Sequence, residues 1–253
     1  MKKSEASVAV LIPARLGSSR FPNKPLVPIL GVPMVELVHR NARAMTEVDA
    51  VAVATCDAAI LELIEANGGI AVMTSDAHER ASDRTAEAVR YLEQQRGFNF
   101  DIVLMVQGDE PAISSDQMTQ VVDAMRSDET IQVANLFGRI DSTREFRDPN
   151  CIKAVADLDG NAVYFSRLPI PYRAAFDHRS VGKQVCAIGF RRDYLMHYLE
   201  MEPTDLEMLE SIDMLRILQH GGKVRLVPTY DRTQSVDVPE DIPLAEALIL
   251  SRR

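Results

Sequence analysis

Five short apolar runs, at residues 8–12, 51–54, 70–73, 102–106 and 132–136, are separated by stretches whose apolar residues recur at helical spacing. Strand-length runs alternating with helix-period segments predict βαβ units around a mostly parallel sheet. Pro33 suits the first turn of a helix reaching residue 44, Asp57 the cap of one through 66, and Ser82 the cap of one through 95. Gly68, Gly69 and Gly97 stand where these helices should stop.

After residue 150 the pattern changes. Strand-like runs at 153–157 and 162–165 flank Leu158-Asp159-Gly160, a hairpin signal, so the sheet is expected to become mixed. A strand at 185–190, one helix over 205–219 ended by Gly221 and Gly222, a strand at 224–227 and a last helix starting near Pro239-Glu240-Asp241 complete the expectation. The fold class is therefore α/β, with a central mixed, mostly parallel sheet. Residues 1–253 read as a single domain with a small excursion at about 137–190. No repeat of fixed period interrupts it.

Composition narrows the chemistry. A formal net charge of −9 over 253 residues gives no broad positive field, which argues against sequence-independent binding to nucleic acid or anionic membrane. An anionic substrate then needs a local basic pocket. No apolar stretch is long enough to span or insert in a membrane, and the N-terminal apolar run is too short for a signal peptide. Cys56, Cys151 and Cys186 have no metal-like spacing, and their odd number fits a reducing cytoplasm.

The local basic segment lies directly after the first apolar run. Residues 12–26 carry Arg15, Arg20 and Lys24 among the small residues Gly17, Ser18 and Ser19. In an open parallel sheet, ligands bind beyond the carboxyl ends of strands, and a polyphosphate there needs main-chain donors, close approach and fixed positive charge. A solvated basic loop would have the same composition; the position after a strand favours the phosphate reading. Neither the P-loop spacing nor the dinucleotide glycine pattern is present, which weakens kinase, GTPase and dehydrogenase readings.

The run at 102–106 leads into Gln107-Gly108-Asp109-Glu110-Pro111, so Asp109 falls at the same sheet edge and suits magnesium. Magnesium commonly takes one or two carboxylates plus substrate phosphates, and Asp237, in Ser235-Val236-Asp237-Val238-Pro239, is the candidate second ligand. Asp237 could equally be an N-cap, and Asp241 reads as compensation of the helix dipole.

Taken in order, Ile12-Pro13-Ala14-Arg15 with Ser19-Arg20 and Lys24, Ser82-Asp83-Arg84, Val106 to Pro111, Tyr164-Phe165-Ser166-Arg167 with Ile170-Pro171-Tyr172, Leu206-Glu207, Leu215-Arg216 and Val236-Asp237 resemble the motifs of the 3-deoxy-manno-octulosonate cytidylyltransferases, or CMP-Kdo synthetases. The resemblance spans nearly the whole chain. It implies a Rossmann-like nucleotidyltransferase fold, usually homodimeric, that joins CTP and the acidic sugar Kdo into CMP-Kdo and pyrophosphate with magnesium, for lipopolysaccharide or other surface polysaccharide. By resemblance Arg15, Lys24 and Asp109 are catalytic, and Arg15, Arg20 and Lys24 hold the triphosphate. Asp109 and Asp237 hold the metal. Cytosine lies against Pro13, Ala14 and the segment Ser82, Asp83 and Arg84. The sugar is contacted by Gln107, Arg167, Gln184, Glu210 and Asp213, with Arg167 suited to a sugar carboxylate.

The sequence departs from the family in the sugar pocket. Gln184-Val185-Cys186-Ala187-Ile188 replaces His-x-Gly-Ile-Tyr, Asp213-Met214 replaces Glu-Gln, and Arg80-Ala81 replaces Ser-Gly. A pocket that loses polar partners discriminates differently among hydroxylated substrates. The expectation is retained nucleotide chemistry with Kdo, a modified Kdo or another 2-keto-3-deoxy sugar acid as acceptor. The alternatives are an enzyme for another acidic sugar, such as a nonulosonic acid, and a noncatalytic nucleotide-binding protein.

Overall fold

The structure is a computed structural model that describes residues 6–17, 21–172 and 180–252. In chain order the elements are β1 (Val8–Ala14), β2 (Pro28–Ile29), β3 (Val32–Pro33), α1 (Met34–Arg43), β4 (Ala50–Thr55), α2 (Ala58–Ala66), β5 (Ile70–Met73), α3 (Ala81–Arg96) and β6 (Ile102–Val106). They continue with α4 (Ser115–Ser127), β7 (Val133–Gly138), α5 (Thr143–Arg147), β8 (Lys153–Ala156), β9 (Ala162–Ser166), β10 (Val181–Arg191), α6 (Arg192–Glu200), α7 (Asp205–Glu210), α8 (Met214–Gln219), β11 (Arg225–Pro228) and α9 (Ile242–Ser251).

Every residue of β1 and β6 is buried, because these strands lie side by side inside a sheet covered on both faces. The sheet order is β11-β7-β10-β6-β1-β4-β5. β1 runs parallel to β4 and β6, and β4 to β5. β10 alone on this path is antiparallel to both its neighbours, β6 and β7, while β11 returns parallel to β7. Side chains alternate between the layers: Ala9, Leu11, Val103 and Met105 pack in one core with α3, α6 and α8, and Val10, Ile12, Leu104 and Val106 in the other with α1 and α4.

The expected strands at 70–73 and 102–106 have the observed bounds, and the others shift by one to four residues at their ends. The β8–β9 hairpin forms around Gly160, whose φ of 81° needs the left-handed region, and joins the main sheet through β10.

Four expectations need correction. The helix expected over 205–219 is two helices, α7 and α8, broken at Ser211 with φ 54°. The break folds α8 back so that the Arg216 guanidinium meets Glu207 and Ile212 is buried. Ser82 does not cap α3; it lies wholly buried in the first turn, after an Arg80 cap position. Asp57 does hold the cap position of α2, but its carboxylate accepts from the Leu16 amide at 2.8 Å and so anchors the loop after β1. Pro33 precedes α1 and closes the short strand β3. Helix α4 starts on a capping box formed by Ser114 and Gln117.

The chain also depends on close backbone approach at Gly182, where β8 and β7 converge on β10. A Cβ there would sit 2.7 Å from Phe137 ring carbons and press on the Gly138 carbonyl. Gly182→Ala is expected to lower stability by about 1–3 kcal/mol, read as a lower urea midpoint at unchanged slope.

Candidate active site

β1 and β6 run parallel and adjacent, so the loops that leave Ala14 and Val106 open at one sheet edge. The first loop curls back through Asn23, whose φ is 57°, into a short 3₁₀ turn that aims Lys24 inward. Its Nζ lies 2.8 Å from Asp109 Oδ2 and 3.8 Å from Asp237 Oδ1. Asp237 arrives from the far end of the sequence. Its neighbour Val236 is fully buried beside Ile29, Met34 and Ala245, and the Val236 amide donates to the Asp109 carbonyl at 2.9 Å. Asp241 Oδ2 accepts from the Asp237 and Val238 amides at 2.9 and 3.1 Å. Asp241 therefore fixes the turn, which leaves the Asp237 carboxylate to face Lys24.

The ground behind this cluster is acidic. Asp109 Oδ1 is buried and has no hydrogen-bond partner among the described residues. Burial, with Asp109 and then Asp237 nearby, pushes the Glu110 carboxyl up to about 8. Glu110 Oε1 accepts from the Cys186 amide at 3.2 Å. Burial and these same acids raise the Cys186 thiol well above its ordinary range, which removes it as a nucleophile.

Two cavities share this edge. A smaller one, about 340 Å³, is lined by Pro13, Ala14, Arg15, Lys24, Arg84 and Asp109. Arg84 is held beneath it by Thr74 Oγ1 and the His78 carbonyl, and Arg15 reaches that same carbonyl at 3.5 Å. Ser82 and Asp83 do not line it; the Ser82 hydroxyl points to Asp213 at 3.4 Å. Arg20, with Ser18 and Ser19, lies outside the described residues.

The larger cleft, about 770 Å³, is lined by Gln107, Asp109, Arg167, Gln184, Asp213 and Asp237 among others. Several of these are already engaged. Arg167 Nε, Nη1 and Nη2 donate to the carbonyls of Glu210, Pro149 and Ser211 at 2.6, 3.0 and 3.2 Å. Gln184 Nε2 donates to Asn135 Oδ1 at 2.6 Å. Glu210 does not line the cleft; its carboxylate accepts from Ser166 Oγ and the Arg167 amide at 2.7 and 2.8 Å. The Gln107 side chain has no hydrogen-bond partner among the described residues, and it lines both cavities.

Sequence reasoning marked Arg80 and Asp213 as separate departures and missed that they meet. Arg80 Nη1 pairs with Asp213 Oδ1 and stands 3.0 Å from Glu207 Oε1. Arg216 in turn grips Glu207 with Nε and Nη2 at 2.7 and 2.8 Å and lies over the Tyr198 ring. Burial raises the Asp213 carboxyl against the pull of Arg80. The available signal was the gain of a positive charge at position 80 of a family pocket that keeps an acid, shortened from Glu to Asp, at position 213.

Comparison with known proteins decides the family. The cytidylyltransferase family profile matches residues 9–226. A protein named 3-deoxy-manno-octulosonate cytidylyltransferase from Pelobacter propionicus is 36% identical over 93% of this chain and 94% of its own length. The chain belongs to the 3-deoxy-manno-octulosonate cytidylyltransferase family. A relative of that name from Thermodesulfovibrio yellowstonii is 38% identical over 93% of this chain and 95% of its own length. Among solved structures, CMP:2-keto-3-deoxy-manno-octonic acid synthetase complexed with CTP superposes with a TM-score of 0.87 at 34% identity, covering 98% of this chain and 100% of that one. A 4-diphosphocytidyl-2C-methyl-D-erythritol synthase from Anaerococcus prevotii, 16% identical with a TM-score of 0.65 over 98% and 97%, shares the fold. The cytidylyltransferase thus has the Rossmann-like nucleotidyltransferase fold, and no helix among its described residues is long and apolar enough to cross a membrane.

The buried charge network sets a stability test for this family member. Glu207 is wholly buried and serves both Arg216 and Arg80. Glu207→Ala strands the buried Arg216 and is expected to cost about 3–5 kcal/mol in urea unfolding.

Proposed function

We propose that this cytidylyltransferase transfers the cytidylyl group of CTP to the anomeric hydroxyl of 3-deoxy-manno-octulosonate, or of a modified form of that sugar, and releases pyrophosphate. The observation that carries the reading is Lys24 between Asp109 and Asp237, where Asp109 lines both cavities, Lys24 the smaller one and Asp237 the larger. In this reading CTP occupies the smaller cavity, with cytosine against Pro13 and Ala14, and the sugar acid occupies the larger cleft. The α-phosphate then lies beside Lys24 and Asp109.

The chemistry follows from charge. In an in-line displacement, negative charge grows on the α-phosphoryl oxygens and on the departing pyrophosphate. Arg15 and Lys24, with Arg20 from the same loop, supply fixed cations for that charge, so they bind the transition state more tightly than the ground state. Gln107 is left to orient the acceptor. No covalent intermediate is required, and the one thiol in the cleft floor that sits nearest the acids, Cys186, is held protonated.

The donor set suits magnesium. Asp109 and Asp237 offer hard oxygens, the buried Oδ1 of Asp109 lacks a partner among the described residues, and two carboxylates with substrate phosphates complete an ordinary magnesium shell. Bound there, the ion would neutralise phosphate charge and make the sugar hydroxyl more nucleophilic. Lys24 holds the two carboxylates in place for it and screens their mutual repulsion.

We read the enzyme as a cytoplasmic homodimer that serves lipopolysaccharide or a related surface glycan. Exposed Val163, Leu168, Tyr172, Met208 and Leu209, on or just after β9 and on α7, support burial of this face against a second copy.

The reading predicts pyrophosphate release from CTP, magnesium and 3-deoxy-manno-octulosonate. Asp109→Asn and Asp237→Asn should each lower kcat on the order of 100- to 1,000-fold at saturating magnesium, whereas Asp241→Asn should stay within about tenfold. Equal, mild effects from all three, or no pyrophosphate with any acidic sugar offered, would refute it.

A further inference from the structure

We infer that Arg80 is a substrate-contacting, specificity-determining residue that pairs with the carboxylate of the acceptor; the inference rests on the acceptor reading above. Arg80 lines both cavities, on the wall that Gln107 and Asp109 also share. An acceptor seated against that wall would lie beside its side chain.

The guanidinium has one end anchored and one end available. Nη1 is committed to Asp213 and Glu207. Nε and Nη2 have no hydrogen-bond partner among the described residues, and 26% of the side chain is accessible. Nε and Nη2 form the side edge of the fork, whose two parallel N–H groups match a carboxylate in bidentate geometry.

The anchor is itself rigid. Arg216 clamps Glu207 with two hydrogen bonds, and Ser82, buried in the first turn of α3, supports Asp213. Two acids therefore balance two arginines within the cluster, and the edge of Arg80 is presented with little rotamer freedom left to lose on binding.

An anionic acceptor needs such a cation here. The cleft floor next to the reaction point carries the carboxylates of Asp109 and Asp237, which repel a sugar acid. Among the other cations of the cleft, each nitrogen of Arg167 already donates to a carbonyl and Lys183 is held by Glu145 and the Thr233 carbonyl, while Arg144 and Arg232 line the larger cleft alone and not the wall it shares with the smaller cavity.

The test compares 3-deoxy-manno-octulosonate with its methyl ester, which keeps the hydroxyls and loses the charge. Pyrophosphate release with CTP and magnesium is followed for wild type, Arg80→Gln and Arg80→Lys, and CTP affinity is measured by calorimetry for each. The wild type is expected to favour the acid in kcat/KM by about 10- to 100-fold. Arg80→Gln should raise KM for the acid and bring the two acceptors within about threefold, with CTP affinity unchanged, and Arg80→Lys should recover part of the preference because an ammonium keeps charge without the fork. A wild type without preference, or an Arg80→Gln enzyme that binds CTP and keeps the full preference, overturns the inference alone. Should Arg80→Gln fail to bind CTP, Arg80→Lys decides: a reduced preference supports the inference and an undiminished one overturns it. A wild type that releases no pyrophosphate with either acceptor overturns the functional reading, and the inference with it.

Discussion

The site depends on one electrostatic constraint: two carboxylates far apart in sequence, Asp109 and Asp237, are held together at a sheet edge, and Lys24 is the charge between them. Like charges brought this close need a counterion, and the fold supplies it before any ligand arrives. The main chain enforces the meeting as well, since the Val236 amide bonds the Asp109 carbonyl and Val236 is sealed in a small apolar cluster. The loop after β1 is pinned in turn by Asp57. Position of the chemistry is thus set by backbone hydrogen bonds and burial, with the charged atoms placed last.

Most of this frame was legible in the sequence. Apolar runs such as 8–12 and 102–106 map onto strands because buried parallel strands need nearly continuous apolar residues. The Asp-Gly hairpin and the antiparallel turn of the sheet after residue 150 were also readable. What failed was local: a helical period over 205–219 does not reveal that Ser211 takes a left-handed conformation, because the gain from joining Arg216 to Glu207 is a tertiary one. Ser82 misled for the same reason. A serine before a helical run looks like a cap, yet here it is buried and turned toward Asp213.

The acceptor side was harder still. Residue types on that wall suggest substrate contacts, but hydrogen bonding divides them: Arg167, Gln184 and Glu210 are bonded into the wall, while Gln107 and the outer edge of Arg80 remain available. Donor and acceptor accounting of this kind needs coordinates. Pairing between positions 80 and 213 likewise depends on a contact spanning 133 residues, which no local pattern encodes. The two departures from the family are one feature in space, and its Arg80 lines both cavities.

If Asp109 and Asp237 act as a single unit with Lys24, their losses are not independent. The most direct measurement is kcat for pyrophosphate release by Asp109→Asn, Asp237→Asn and the double variant at saturating magnesium. Acting as one unit, the double variant stays within about threefold of the weaker single variant. A double variant whose loss equals the product of the two single losses would show that the carboxylates work separately, and would contradict the account.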